Sequence, residues 1–280
     1  MASKPITISI QGDSSRLKKA LGEAEKGVKG FAKNIGKMGA RAGVAFGAVA
    51  GAVAVTGVQA ASEFEKSMKE VLTLLPEAGA ETFGELSNQV KNFSKEFGVL
   101  PKEVVPSLYQ ALSAGVPQDN VFEFLEVAQK AAKGGVTDLQ TAVDGISSVV
   151  NSYGEDVISA AEASDLMFTA VKLGKTDFTQ LSASLFNVAP IAASMGIEFG
   201  EVTAALANLT AKGVPTSVAA TQLKGAFAEL GKEGTKASDM FKELSGKSMQ
   251  DFLAEGHGLE GVLEVLKIGA DDMGISLLDM

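Results

Sequence analysis

The chain has 280 residues, with 34 acidic and 25 basic side chains, a formal net charge of −9, one His, and neither Cys nor Trp. Without Cys the chain has no disulfide framework and no thiolate metal site, and a single His nearly excludes an imidazole zinc site or a His-dependent relay. Hydrophobic residues make up 46% of the chain, which excludes global disorder. Because aromatic residues are only 6% and there are 31 Gly, the composition favours close packing of helices over an enzyme with a deep pocket.

Charge is distributed unevenly along the chain. Residues 1–41 contain nine basic and three acidic side chains, whereas the remaining residues contain 16 basic and 31 acidic ones. A basic head on an acidic body is compatible with a nucleic-acid arm, a membrane-surface segment, a head-to-body contact or a solvated helix face. Phe31 is the one aromatic residue among the basic ones. Stacking on bases is therefore disfavoured, and we expect no specific nucleic acid as a partner.

The first 62 residues combine three predicted elements. Residues 4–11 alternate apolar and polar side chains, which predicts a short β-strand, and a helical pattern follows to about residue 57. Residues 42–62 carry no charge and are rich in Ala, Gly and Val. This segment favours a buried helix–helix seam, a conditionally inserting membrane helix or a constitutive anchor. Four glycines at four-residue spacing predict close helix packing: Gly39, Gly43, Gly47 and Gly51.

The next two predicted helices lead into a repetitive region. One helix runs from Ser62 to Pro76, residues 77–84 form a looser stretch, and a second helix covers residues 85–97. Glycines then recur through residues 98–246, opening units that are 37, 39 and 39 residues apart, with a second glycine near the middle of each unit. This pattern predicts three to four helical hairpins whose helices end at glycines. The predicted hairpin turns are Gly98, Gly115, Gly135, Gly154, Gly174, Gly196, Gly213 and Gly231.

Three further signals complete the predicted organisation. Pro190 is expected to kink or end its helix. After Gly246 we expect one or two short helices, with loops at residues 256–258 and 269–272. The predicted fold is mainly α, with repeated helical hairpins, a short N-terminal β-strand and a long Gly/Ala-rich apolar helix. The predicted domains are residues 1–62, 63–97, 98–246 and 247–280, the last of them truncated.

No pattern of residues indicates catalysis. His257 lies between two glycines, which predicts an exposed loop residue. Asp271 and Asp272 do not have the ligand spacing of a calcium loop, and the chain contains no phosphate-binding loop of the Walker type. We therefore predict no catalytic, cofactor-binding or metal-binding residues and no enzymatic activity.

The ordered series of helices resembles a known family. Segments such as "FEKSMKEV" (64–71), "VPSLYQALSAGV" (105–116) and "AATQLKGAFAEL" (219–230) resemble the N-terminal and core region of phage tail tape measure proteins, over residues 4–245. The resemblance implies a structural protein of which a few copies fill the lumen of the tail tube, set tail length and are released during genome ejection. Family members are usually much longer, so we expect a truncated product, a fragment or an unusually short relative.

The resemblance also implies partners and a location. The partners would be other copies of the chain, the tail tube protein, tail assembly chaperones and tail tip proteins, with transient contact to the host membrane. The protein would be assembled in the bacterial host cytoplasm and would reside in the virion tail. Two alternatives remain open: a membrane-inserting or pore-forming helical protein acting through residues 42–62, and a helical solenoid that presents a groove to a peptide.

Overall fold

A computed structural model describes residues 61–75 and 79–274. These residues lie almost entirely in one compact unit, Phe64–Met280. They form helices and connecting turns, so the prediction of a mainly α protein is confirmed. The predicted β-strand at residues 4–11 and the four glycines between residues 39 and 51 lie outside the described residues, and the predicted domain boundaries stay a prediction.

Eleven named helices follow a first helical segment at residues 61–72 in the described part of the chain. In chain order they are α1 (Ala80–Phe97), α2 (Pro101–Ser113), α3 (Val121–Gly134), α4 (Leu139–Tyr153), α5 (Ala160–Leu173), α6 (Phe178–Ser194), α7 (Phe199–Ala211), α8 (Thr216–Gly231), α9 (Lys236–Ser245), α10 (Met249–Ala254) and α11 (Gly258–Met273).

Helices α2 to α8, which we call the ladder, form two layers. Helices α2, α4, α6 and α8 pack side by side in the first layer, and α3, α5 and α7 pack side by side in the second. Because consecutive helices alternate between layers, α2–α3, α4–α5 and α6–α7 are helix pairs, and each pair packs against the next. Helix α1 contacts α2 and α3, and α9 continues from α8.

The core lies between the two layers and repeats with the helix pairs. Leu108, Ile146 and Leu185 occupy the same position in α2, α4 and α6, and all three are fully buried. Met167 and Leu206 likewise occupy this position in α5 and α7 and are fully buried. Each such side chain contributes about 1.5–3 kcal/mol by leaving water. A face at helical spacing thus recurs every 38–39 residues, which forces successive pairs to stack.

Acidic and hydroxyl side chains begin several ladder helices. Asp138 Oδ1 accepts a 2.8 Å hydrogen bond from Thr141 N, and Asp177 Oδ1 accepts an equal one from Gln180 N. Ser159 Oγ accepts a 3.2 Å bond from Glu162 N in the same way. These bonds satisfy amide groups that have no partner within their own helix.

Two predicted local features are wrong, and one of the two effects predicted for Pro190 is wrong as well. Helix α6 does not end at Pro190 but continues to Ser194, so the kink stays a prediction; Pro190 and Phe186, whose carbonyl loses its partner, are both exposed, so water can reach the freed group. Residues 269–272 lie inside α11 because Gly269 packs against Leu244 of α9. Helix α1 starts at Ala80, inside the stretch expected to be looser.

Candidate functional site

The predicted turn glycines lie at the helix ends of the ladder. Five have positive φ angles between 68° and 94°, the left-handed region that other residues rarely adopt. These five are Gly98, Gly115, Gly154, Gly196 and Gly213. Gly135 and Gly174 follow α3 and α5 with negative φ, and Gly231 is the last residue of α8 rather than a turn residue.

Gly174 is needed for space rather than for its backbone angle. A Cβ atom there would lie 3.0 Å from Ala207 Cα and 2.9 Å from Ala170 O, and it would overlap Thr210 Oγ1. The Thr210 hydroxyl accepts a 3.2 Å hydrogen bond from Lys175 N. Gly174 thus lets the end of α5 contact the backbone of α7 directly.

The closest crossing in the first layer joins α4 to α6, and the sequence analysis missed it. A Cβ atom at Gly145 would lie 2.7 Å from Ser182 Cβ and 3.0 Å from Ser182 Cα. Ser182 is 2% exposed, and its hydroxyl has no hydrogen-bond partner in the structure. The sequence does carry a signal for this contact: Gly145 and Ser182 are both small, and they lie 37 positions apart, which is nearly the repeat interval of the ladder.

Polar contacts tie each helix pair to the next. Their partners are 34–42 residues apart, which is about one repeat of the ladder. Hydroxyl pairs join the starts of α4, α6 and α8, and amide side chains join α2 to α4. The contacts are Gln110 Nε2 to Asp144 Oδ1 (3.0 Å), Asn151 Nδ2 to Ala114 O (2.7 Å), Thr179 Oγ1 to Thr137 Oγ1 (2.9 Å) and Thr176 Oγ1 to Thr216 Oγ1 (2.7 Å).

Glu201 connects the ladder to the last described helix. Its Oε1 accepts a 2.7 Å hydrogen bond from Leu259 N, at the start of α11, and its Oε2 accepts a 3.3 Å bond from Glu198 N. The carboxylate therefore lies at the positive end of α11, where a negative charge is favourable. Burial raises the pKa of the neighbouring Tyr153, and the charge of Glu201 raises it further.

Val136 is a strained and exposed residue in the α3–α4 junction. Its φ angle is +52°, a region that β-branched residues rarely occupy, and its side chain is 92% exposed. Holding such a residue there costs roughly 1–2 kcal/mol. Neither burial nor local geometry accounts for a valine at this position.

Two open cavities lie between the first two helix pairs. One has a volume of about 410 Å³ and is lined by the α2–α3 and α4–α5 junctions, including Phe124, Val127 and Val150. The other, of about 500 Å³, lies at the α1–α2 and α3–α4 junctions and is lined by Lys102, Lys133 and other residues. The first cavity also has Glu123, Glu155 and Ser159 in its lining, and the second has Glu103, Thr137 and Asp138.

His257 precedes α11, is exposed, and stacks on Phe252 with ring centroids 4.2 Å apart. A hydrogen bond from Lys247 lowers the pKa of Glu255, which lies near this imidazole. Within residues 61–75 and 79–274 no three acidic or His side chains are grouped so that they could hold a metal ion. Across the same ranges, no helix combines the length and apolarity that crossing a bilayer requires.

Comparison with known proteins identifies the family. The model of the family described as phage-related minor tail protein matches residues 87–274, from α1 to the end of α11. The chain is 33% identical over 250 residues to the probable tape measure protein of Clostridium phage phiCD119, covering 83% of this chain and 26% of that protein. It is 23% identical over 198 residues to the tape measure protein of Pneumococcus phage Dp-1, covering 71% of this chain and 17% of that protein.

The chain thus spans about a quarter of the length of the first relative and less of the second. No solved structure matches it. The match to the family model includes the whole ladder and well over half of the chain. The chain therefore belongs to the phage-related minor tail protein family.

Proposed function

We propose that the chain is the ladder region of a phage tail tape measure protein. Its role is structural: it lies in the lumen of the tail tube, contributes to setting tail length and leaves the tube during genome ejection. The observation that carries this proposal is the continuous ladder of stacked helix pairs, in a chain of which 83% is covered by the match to one relative named as a tape measure protein and 71% by the match to another.

The exposed face of helix α6 supports contact with protein rather than with DNA. Helix α6 contains no charged residue, and its exposed side chains include Phe186, which is 60% exposed. An uncharged, partly apolar face fits other protein surfaces, since DNA binding depends on basic side chains that contact phosphates. The expected partners are further copies of the chain, the tail tube protein, tail assembly chaperones and tail tip proteins.

The geometry of the ladder determines how much length it can contribute. One helix pair with its junctions uses about 39 residues and advances the ladder by one helix spacing, about 10 Å. The same residues in one straight helix would span about 58 Å. A ladder that stays folded in the tail therefore adds little to tail length, and residues outside the ladder have to supply most of it.

Tail length measures this directly. Four extra copies of residues 139–177, inserted in tandem into a complete tape measure gene that carries this region, should lengthen the tail by about 40 Å if the ladder stays folded. The same insertion would add about 230 Å if the region is a straight helix. Electron micrographs of purified tails distinguish the two. An equal insertion outside residues 87–274 is the control, and unchanged tails in both cases would refute the tape measure role.

The segments before the ladder support two further proposals. Transient membrane insertion through residues 42–62 predicts that the whole chain floats with liposomes and that a variant lacking 42–62 does not. Close packing through Gly39, Gly43, Gly47 and Gly51 predicts that Gly47→Leu lowers the oligomer mass measured by light scattering. Equal flotation of both chains, or an unchanged mass, would remove the corresponding proposal.

The solenoid binding module is the alternative that the ladder geometry favours most, because stacked helix pairs present extended surfaces to partners. It predicts a compact monomer in X-ray scattering rather than an elongated assembly. A peptide would then be expected to bind in the cavities of about 410 and 500 Å³.

A further inference from the structure

The two edges of the ladder carry opposite charge. One, the acidic edge, consists of the junctions at residues 113–123, 151–162, 194–201 and 231–236 and contains eight acidic residues against two lysines. The other, the basic edge, consists of the junctions at residues 95–103, 130–138, 171–177 and 211–217. It contains seven lysines against four acidic residues, in a chain whose net charge is −9.

The acidic residues of the acidic edge are Asp119, Glu123, Glu155, Asp156, Glu162, Glu198, Glu201 and Glu233, of which Glu201 is bonded to the start of α11, and its lysines are Lys232 and Lys236. The basic-edge lysines are Lys95, Lys102, Lys130, Lys133, Lys172, Lys175 and Lys212. Helix dipoles do not determine this polarity. Each edge holds the starts of the helices in one layer and the ends of those in the other, so the opposite partial charges largely offset. The sign of each edge is therefore determined by its side chains.

The basic edge also presents apolar side chains. Leu100, Val136 and Leu173 lie in three successive junctions and are 53%, 92% and 63% exposed. Val136 is held outward by a positive φ angle that a valine rarely adopts. Lysines lie beside these exposed aliphatic residues in the sequence, as Lys172 and Lys175 do beside Leu173.

Each edge has a cavity: the one of about 500 Å³ lies on the basic edge, and the one of about 410 Å³ lies between the first two junctions of the acidic edge. The cavity of about 410 Å³ has apolar walls that include Pro117, Phe124 and Val150, and Glu123 and Glu155 also line it. A suitable occupant would combine an aliphatic side chain with a nearby lysine. The basic edge of the same ladder offers this combination.

We infer that the basic edge of one copy docks on the acidic edge of a second copy. Charge complementarity orients the two ladders, and the aliphatic side chains of the basic edge enter the cavity of the acidic edge. Because the two surfaces differ, the contact is heterologous and each added copy leaves both kinds of edge free, so copies continue into a row. This inference deepens the proposed function, on which it rests, by naming the surfaces through which copies in the tail contact one another.

Charge reversal in the complete 280-residue chain tests the inference. The variant Lys172→Glu/Lys175→Glu reverses part of the basic edge, and Glu155→Lys/Asp156→Lys reverses part of the acidic edge. Each alone should weaken self-association about tenfold or more in sedimentation velocity at about 0.02 M salt. An equimolar mixture of the two should recover assembly, because each reversed edge then meets its complement.

Two further measurements keep the result interpretable. Val136→Gly removes the most exposed aliphatic side chain without changing charge, and we expect several-fold weaker association with an unchanged circular dichroism spectrum. Gly47→Leu alters the separate seam proposed for residues 39–51, so it should leave the response to salt and to charge reversal unchanged.

Several outcomes would overturn the inference. They are a monomeric wild-type chain, association that does not respond to about 0.5 M salt, no recovery in the mixture, or an acidic-edge variant that loses association while the basic-edge variant keeps it. The last of these would show that the acidic edge binds something other than the basic edge. The tail-length experiment does not depend on these edges, so a failure here is distinguishable from a failure of the tape measure role.

Discussion

Replacing Gly145 with alanine should destabilise the ladder, although alanine is normally the better helix former. The added methyl group would lie 2.7 Å from Ser182 Cβ and 3.0 Å from Ser182 Cα. A backbone atom cannot move aside without moving its helix, so α4 and α6 have to separate along the most extensive helix contact in the ladder.

The expected magnitude is the difference between two effects. Alanine in a helix interior gains about 1 kcal/mol over glycine. Overpacking a close contact costs about 1–3 kcal/mol, and the backbone position of the clash places this site near the upper value. We therefore expect Gly145→Ala to lower the free energy of unfolding by about 1–2 kcal/mol.

Urea unfolding of the complete chain, followed by circular dichroism at 222 nm, measures the effect. Gly225→Ala is the matched control, because Gly225 also lies inside a ladder helix but has open space where its Cβ would be. This control should gain about 1 kcal/mol. Ser182→Gly should restore only part of the stability that Gly145→Ala loses, because Ser182 Cα stays 3.0 Å from the added methyl group and glycine inside a helix itself costs about 0.5–1 kcal/mol. A Gly145→Ala chain as stable as the Gly225→Ala chain would refute the reasoning.

Three other changes have defined outcomes. Asp138→Ala should lower the free energy of unfolding in urea by about 1 kcal/mol, whereas the control Asp165→Ala, at an exposed position, should change it little. Hydrogen bonding lowers the pKa of Asp138 in the folded chain. The stability that Asp138 contributes is therefore present above its unfolded-state pKa and disappears as the pH falls through its folded-state pKa. Val136→Gly should stabilise the chain by roughly 0.5 kcal/mol in thermal unfolding, as relief of strain exceeds the extra chain entropy of glycine; a loss would show that Val136 is not strained. Glu201→Ala should speed amide hydrogen exchange in α11 about tenfold, which corresponds to a loss of about 1.4 kcal/mol of local protection. The control Glu264→Ala should leave these exchange rates unchanged. Exchange in α11 that is equally fast in the two variants would show that Glu201 does not anchor this helix.

Much of the helix layout is visible in the sequence because two periodic signals coincide. Glycines mark the ends of the helices, and apolar residues such as Leu108, Ile146 and Leu185 recur at the same interval. Each signal alone is weak in a chain so rich in Gly and Ala. Their agreement places most of the ladder junctions because a turn and a buried face both constrain the same short helix.

Contacts that depend on tertiary packing are not visible in the same way. Glu201 resembles any acidic residue in a first helical turn, and its bond to Leu259 N, 58 residues away, depends on how α11 returns to the ladder. Gly269 resembles a loop residue, yet it lies inside α11 because Leu244 fills the space beside it. Both cases need the positions of helices that no local pattern encodes.

The alternation of helices between two layers has a mechanical consequence. Within the ladder each helix pair packs only on the adjacent pairs, so tension applied at one end of the chain acts on the outermost pair first. Stretched to its full contour, a released pair of about 39 residues extends to roughly 130–140 Å, although it occupied about 10 Å of the ladder. The described fold is thus a short object that can lengthen stepwise by more than tenfold, one pair at a time.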